Sequence, residues 1–128
     1  MNSKNYLIAE AIISILFGIA LLIMPDQFLQ GYMNEGDSLG AVARAVARAY
    51  GGILFGAGII AWQNRHAQGA VRKSLLTGFL VIALTGGISS LIELIPGNVS
   101  SMGWSTVGIC VFLAIWALLL LFQKEKQA

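Results

Sequence analysis

The chain has 128 residues, of which 57% are hydrophobic and 11% are charged, and its net charge is +2. Soluble domains carry about 25% charged residues, so this composition excludes a protein whose whole surface faces water. The length predicts one domain, residues 1–128, without a separate catalytic module. The basic residues stand at the ends of apolar segments rather than in one patch, which argues against nucleic-acid binding.

Three apolar segments are long enough to cross a bilayer, which takes about 20 residues in a helix. They are Tyr6–Met24, Ser74–Ile92 and Trp104–Phe122. A fourth segment, Ala49–Trp62, is too short by itself and spans only if its helix begins near Leu39 or Gly40. That helix would carry Arg44 and Arg48 into the membrane. The sequence therefore predicts four crossings.

The first loop contains a short amphipathic segment, Asp26–Glu35, with apolar residues at helical spacing. Asp26 is the predicted N-cap of this helix, which would lie flat in the headgroup region. Gly36 ends it. The predicted fold is an all-α integral membrane protein, an antiparallel four-helix transmembrane bundle with a short interfacial helix between helices 1 and 2.

Lysine and arginine residues near the ends of the segments predict the orientation of the protein in the membrane, because they favour the cytoplasmic side. Arg44 and Arg48 fall on one side of the membrane. The remaining basic residues that fall on the other side are Lys4, Arg65, Arg72, Lys73, Lys124 and Lys126. Both termini are therefore predicted to be cytoplasmic.

Charged residues inside a membrane are costly, so each is a functional candidate. Measured by helix rise from the cytoplasmic side, Arg44 lies about 27 Å deep and Glu93 about 28 Å deep. One interpretation is an ion pair between these two residues, with Arg48 bonded to hydroxyl or carbonyl groups. The other is a ligand-binding site for an anion or a lipid headgroup, formed by Arg44, Arg48 and Glu93.

Glu10 is predicted to lie about 6 Å inside the cytoplasmic end of the first helix. At that depth its carboxylate either extends to the surface or pairs with Lys73. If Glu10 instead faces an apolar cavity, proton coupling becomes an alternative role for it.

Gly52 and Gly56 are four residues apart on the second predicted helix and allow another helix backbone to approach closely. They predict a homo-oligomer or docking to a larger membrane complex.

The residue types that carry catalysis are few. The sequence has one cysteine and one histidine, and it contains no nucleophile–base pair, metal cluster or phosphate-binding loop. It therefore predicts a protein that is not an enzyme and needs no metal or cofactor. The favoured function is a non-catalytic subunit or scaffold that contacts membrane lipid, and the alternative is a proton-coupled transporter that uses Glu10.

Two resemblances accompany these predictions. The proline that closes the first helix and the Arg48–Gly52 run that opens the second resemble short bacterial four-helix inner-membrane proteins of unknown function. This resemblance implies a multi-pass protein of the bacterial inner membrane. The chain length and Glu10 are also similar to the small multidrug resistance transporters, in which a membrane glutamate exchanges protons for cationic drugs.

Overall fold

The computed structural model of the protein describes residues 2–123, which form helices and no strands. The elements are α1 (Ser3–Ile23), α2 (Pro25–Gln30), α3 (Ala41–Gln63), α4 (Gly69–Leu94) and α5 (Gly103–Phe122). In this part of the chain, α1, α3, α4 and α5 are long and apolar enough to cross a membrane. The protein is therefore a multi-pass membrane protein with a four-helix bundle, as predicted. Lys124 and Lys126, which contribute to the predicted orientation, lie outside the described residues.

α1 and α4 begin several residues before the apolar segments from which they were predicted. α1 begins at Ser3, one turn earlier than predicted, because the Asn2 side chain caps it and accepts a 2.9 Å hydrogen bond from the Asn5 backbone N–H. α4 begins at Gly69 and includes Arg72 and Lys73. Hydropathy marks where a helix enters lipid and not where its backbone hydrogen bonds begin. A count of apolar residues therefore leaves out polar turns at the ends of a helix.

The segment that was predicted to lie at the membrane interface is helical over a shorter range than predicted. α2 ends at Gln30, and turns follow it. Its N-cap is Met24 rather than Asp26, because Pro25 occupies the first helical position and its missing N–H suits that position. Asp26 lies in the first turn, and its carboxylate binds Arg44.

The long helices pack as two antiparallel pairs, α1 with α3 and α4 with α5. The first pair crosses where Gly18 meets Gly51: a Cβ built on Gly18 would lie 2.7 Å from the Gly51 carbonyl oxygen. Where α4 ends and α5 begins, a Cβ on Gly103 would lie 2.8 Å from Leu94 Cδ2. The consecutive helices α3 and α4 hardly contact each other.

The two pairs meet in a core near the chain termini, which we call the termini end of the bundle. Its fully buried side chains are Tyr6, Leu7, Ala61, Leu76, Ala117 and Leu120. The edge of the Tyr6 ring packs on Trp116 with ring centroids 5.3 Å apart, which joins α1 to α5. From this core the pairs diverge toward the opposite end, which holds α2 and is called the α2 end.

At the α2 end, the loop after α2 binds the loop between α4 and α5. The Ser100 backbone N–H donates to the Tyr32 carbonyl at 2.8 Å, and the Ser100 hydroxyl donates to the Gly31 carbonyl. The Asn34 side-chain amide donates to the Gly97 carbonyl at 2.8 Å. These bonds connect the α1–α3 pair to the α4–α5 pair at the end where the helices stand apart.

Candidate ligand cavity

The divergence of the two helix pairs leaves a cavity of about 850 Å³ between them, lined by residues from all five helices. This volume falls within the range of about 300–1,000 Å³ that ligand pockets occupy. Most of the lining is aliphatic or aromatic, including Ile13, Phe17, Leu54, Ile82 and Leu113. The protein thus contains a space that suits an apolar molecule.

Glu10 lies at the termini end of this cavity. It is 5% exposed, and its carboxylate accepts a 2.7 Å hydrogen bond from the Tyr6 hydroxyl one turn below it. Among residues 2–123, no other hydrogen bond to this carboxylate and no ion pair with it is present. The predicted extension to the surface and pairing with Lys73 are wrong, because α1 begins earlier and packs Glu10 between the helix pairs.

Hydroxyl groups occur elsewhere in the lining. Ser14 lies one turn from Glu10 on α1, and Ser90 donates to its own helix, to the Gly86 carbonyl at 2.9 Å. At the α2 end, the Thr106 hydroxyl donates to the Tyr32 hydroxyl at 3.0 Å. These hydroxyl groups carry no charge. Among the residues that line the cavity, Glu10 is the one whose side chain is of a charged type.

Arg44 pairs with Asp26 and not with Glu93, which corrects the predicted ion pair. Its Nε lies 3.0 Å from Asp26 Oδ1 and 3.2 Å from Oδ2, and its guanidinium also reaches the Leu39 carbonyl at 3.4 Å. The prediction matched depths on α3 and α4 as if consecutive helices were packed together. Since α3 packs on α1, the nearest carboxylate to Arg44 comes from α2.

Arg48 and Glu93 are not brought together with Arg44. Glu93 is exposed and accepts a 2.8 Å hydrogen bond from the Asn98 side chain in the following loop. Arg48 is exposed on α3, and no bond to Ser89, Ser90 or another group is present among residues 2–123. Neither arginine lines the cavity. The three residues do not form one site within the described chain.

Gly52 and Gly56 face away from their own bundle. A Cβ built on Gly56 would meet nothing within 4 Å, and one on Gly52 would meet Leu22 at 4.0 Å. The close contacts of α3 with α1 are made instead by Gly51 and Gly58. The packing of Gly52 and Gly56 against another chain remains a prediction.

Across residues 2–123, no group of three or more histidine, cysteine, aspartate or glutamate side chains is arranged to hold a metal ion. Cys110 lines the cavity from α5, opposite Gly86, and is half-buried.

The model of one protein family, described as Domain of unknown function (DUF8292), matches residues 3–127. The chain belongs to this family. The match covers all four membrane-spanning helices, α2 and the residues that line the cavity. No curated protein and no solved structure matches the chain. The family description names no activity, so the two resemblances drawn from the sequence remain predictions.

The cavity was not predicted from the sequence. Its residues come from five helices, and their proximity depends on which helices form pairs. One local signal was available: Tyr6 and Glu10 are four residues apart on one helix, a spacing at which side chains meet. That spacing identifies the partner of Glu10 before any tertiary contact is known.

Proposed function

We propose that this protein is a small non-catalytic membrane protein that binds an apolar molecule with one polar end between its two helix pairs. The observation that supports it is the cavity of about 850 Å³ with Glu10 at its buried end. A packed four-helix bundle fills such space with side chains, because interiors are as dense as organic crystals. Space of this size beside a buried carboxylate favours a binding role.

The proposal replaces the arginine site with the cavity as the place where a ligand binds. Contact with membrane lipid at Arg44 and Arg48 remains part of the proposed scaffold role, although the Asp26 carboxylate already neutralises Arg44. Packing of Gly52 and Gly56 against a second copy or a larger complex is likewise proposed, since a Cβ on Gly56 would meet nothing within 4 Å and one on Gly52 would meet only Leu22, at 4.0 Å. The proposed location is the bacterial inner membrane.

The experiment compares two substitutions on α3, Ala43→Trp and Ala45→Trp. Ala43 lines the cavity, whereas Ala45 is also exposed but lies outside the lining. Mass spectrometry of the gently purified protein should detect a bound apolar molecule in the wild type and in Ala45→Trp. The Ala43→Trp variant should lose it, because the indole occupies the cavity. Equal retention by both variants, or an empty wild-type protein, contradicts the proposal.

Proton-coupled transport is a second candidate, favoured by the burial of Glu10 inside the cavity rather than near the surface. In liposomes with a pH gradient, such a transporter moves protons against a lipophilic cation, and Glu10→Gln abolishes the flux. Absence of flux in the wild type, together with a bound molecule in the first experiment, decides for the binding protein.

A further inference from the structure

The wall of the cavity is incomplete on one side. Its exposed lining residues all lie on α3 or α4: Ala43, Val46, Tyr50, Ile82, Thr85 and Ser89. The lining residues on α1, α2 and α5 are buried or half-buried. Because α3 and α4 hardly contact each other, we call this gap the α3–α4 opening.

Contacts between the two helix pairs lie at both ends of the bundle. The core at the termini end contains six side chains of zero exposure, which leaves no passage below Glu10. At the α2 end, the bonds from Ser100 to Tyr32 and from Asn34 to Gly97 join the two loops. The α3–α4 opening therefore leads sideways.

The opening lies at the depth of the hydrocarbon. Tyr50 is nine residues from the start of α3, and Thr85 is nine residues from the end of α4. At 1.5 Å per residue, each lies about 14 Å from the α2 end. Since the hydrocarbon core is about 30 Å thick, the opening reaches the middle of the bilayer. None of the six residues that border it is charged.

We propose that the ligand is a lipid-soluble molecule of the bilayer with a long apolar body and one hydrogen-bond-donating end. It enters sideways through the α3–α4 opening and places its donor against the Glu10 carboxylate. Lipid is the medium that meets this opening, and the Glu10 carboxylate has acceptor capacity that the Tyr6 hydroxyl alone does not fill. This inference rests on the proposed cavity binding and adds the entry route and the ligand class.

The test measures fluorescence quenching in phosphatidylcholine vesicles. A tryptophan introduced as Ile109→Trp reports from the cavity wall on α5, after Trp62, Trp104 and Trp116 are replaced by phenylalanine. The probe is a long-chain alkyl alcohol with two bromine atoms on its chain, which quench tryptophan on contact. We expect quenching at a low mole fraction of the alcohol.

Two matched pairs of substitutions test the route. Val46→Phe with Ile82→Phe fills the opening, and about tenfold more alcohol should then be needed for the same quenching. Val42→Phe with Ile88→Phe makes the same kinds of change on exposed residues of the same helices, outside the lining. This second pair should leave quenching unchanged. Circular dichroism and particle size verify that every variant folds.

The ligand class is tested with a dibrominated alkane of equal chain length. The alcohol should quench at a lower mole fraction than the alkane, and Glu10→Leu should remove that difference. Equal quenching by both probes in the wild type overturns the assignment of Glu10. If Val46→Phe with Ile82→Phe does not change the quenching, sideways entry is overturned. It is also overturned if these substitutions alter the number of chains per particle.

Failure of this inference is distinguishable from failure of cavity binding. Suppose that Ala43→Trp expels a co-purified molecule but that filling the α3–α4 opening does not change the quenching. This combination overturns the entry route and leaves cavity binding intact. A protein without any bound molecule and without quenching contradicts both.

Discussion

At the scale of single residues, the distinctive feature is a carboxylate held inside a membrane-spanning bundle by one hydroxyl. Glu10 is 5% exposed, and the Tyr6 hydroxyl donates to it across one helical turn. A buried acceptor that loses its donor costs free energy, because neither lipid nor an apolar cavity replaces the bond. Tyr6 also belongs to the core, so the same side chain links the packing of the bundle to the polar end of the cavity.

Tyr6→Phe should therefore lower the free energy of unfolding by about 1 kcal/mol, the usual size of such a bond in a membrane. The phenyl ring keeps the contact with Trp116, so the loss reports on the hydroxyl alone. Unfolding in mixed detergent micelles measures it.

Tyr50→Phe is the matched control, since no hydrogen bond involving the Tyr50 hydroxyl is present among residues 2–123. It should leave the unfolding free energy unchanged. An equal effect of the two substitutions would show that the Tyr6–Glu10 bond does not stabilise the fold.

At the scale of helices, the arrangement depends on which small residues lie at the crossings. The backbones of α1 and α3 approach at Gly18 and Gly51, and a Cβ on Gly51 would lie 2.8 Å from both the Gly18 carbonyl oxygen and Leu21 Cβ. Backbone atoms cannot yield as the tip of a flexible side chain does. The neighbouring Gly52 has space for a methyl group.

Gly51→Ala should accordingly destabilise the protein by about 1–3 kcal/mol, the typical cost of overpacking. Gly52→Ala should be neutral or slightly stabilising, because alanine favours a helix over glycine. The same unfolding assay compares the two. If Gly51→Ala is tolerated as well as Gly52→Ala, the α1–α3 pairing is wrong.

The existence of the helices could be predicted from the sequence, while their partners could not. A run such as Trp104–Phe122 is apolar over the thickness of a bilayer, and that property is local to the run. The pairing of Arg44 is not local, since it depends on α3 packing against α1 so that Asp26, and not Glu93, is nearby. The cavity depends on such choices for all the helices together, which is why the Glu10 carboxylate was predicted to extend to the surface or to pair with Lys73.

At the scale of the whole molecule, the bundle is packed at one end and divided at the other. Aromatic and aliphatic contacts hold the termini end together, whereas loop hydrogen bonds connect the pairs at the α2 end. This division of contacts places the cavity between the pairs, with its incomplete side toward lipid. The central claim is that this space holds a ligand.

Nuclear magnetic resonance of the methyl-labelled protein in deuterated lipid nanodiscs tests that claim most directly. With a protonated long-chain alcohol present, the methyl groups of Ile13 on α1, Ile82 on α4 and Ile109 on α5 should show magnetisation transfer to its chain. These residues line the cavity from both helix pairs, so simultaneous contacts place the chain between the pairs. Contacts confined to outward-facing isoleucines such as Ile53 and Ile88, or α3 methyl groups packed directly on those of α4, would contradict the account.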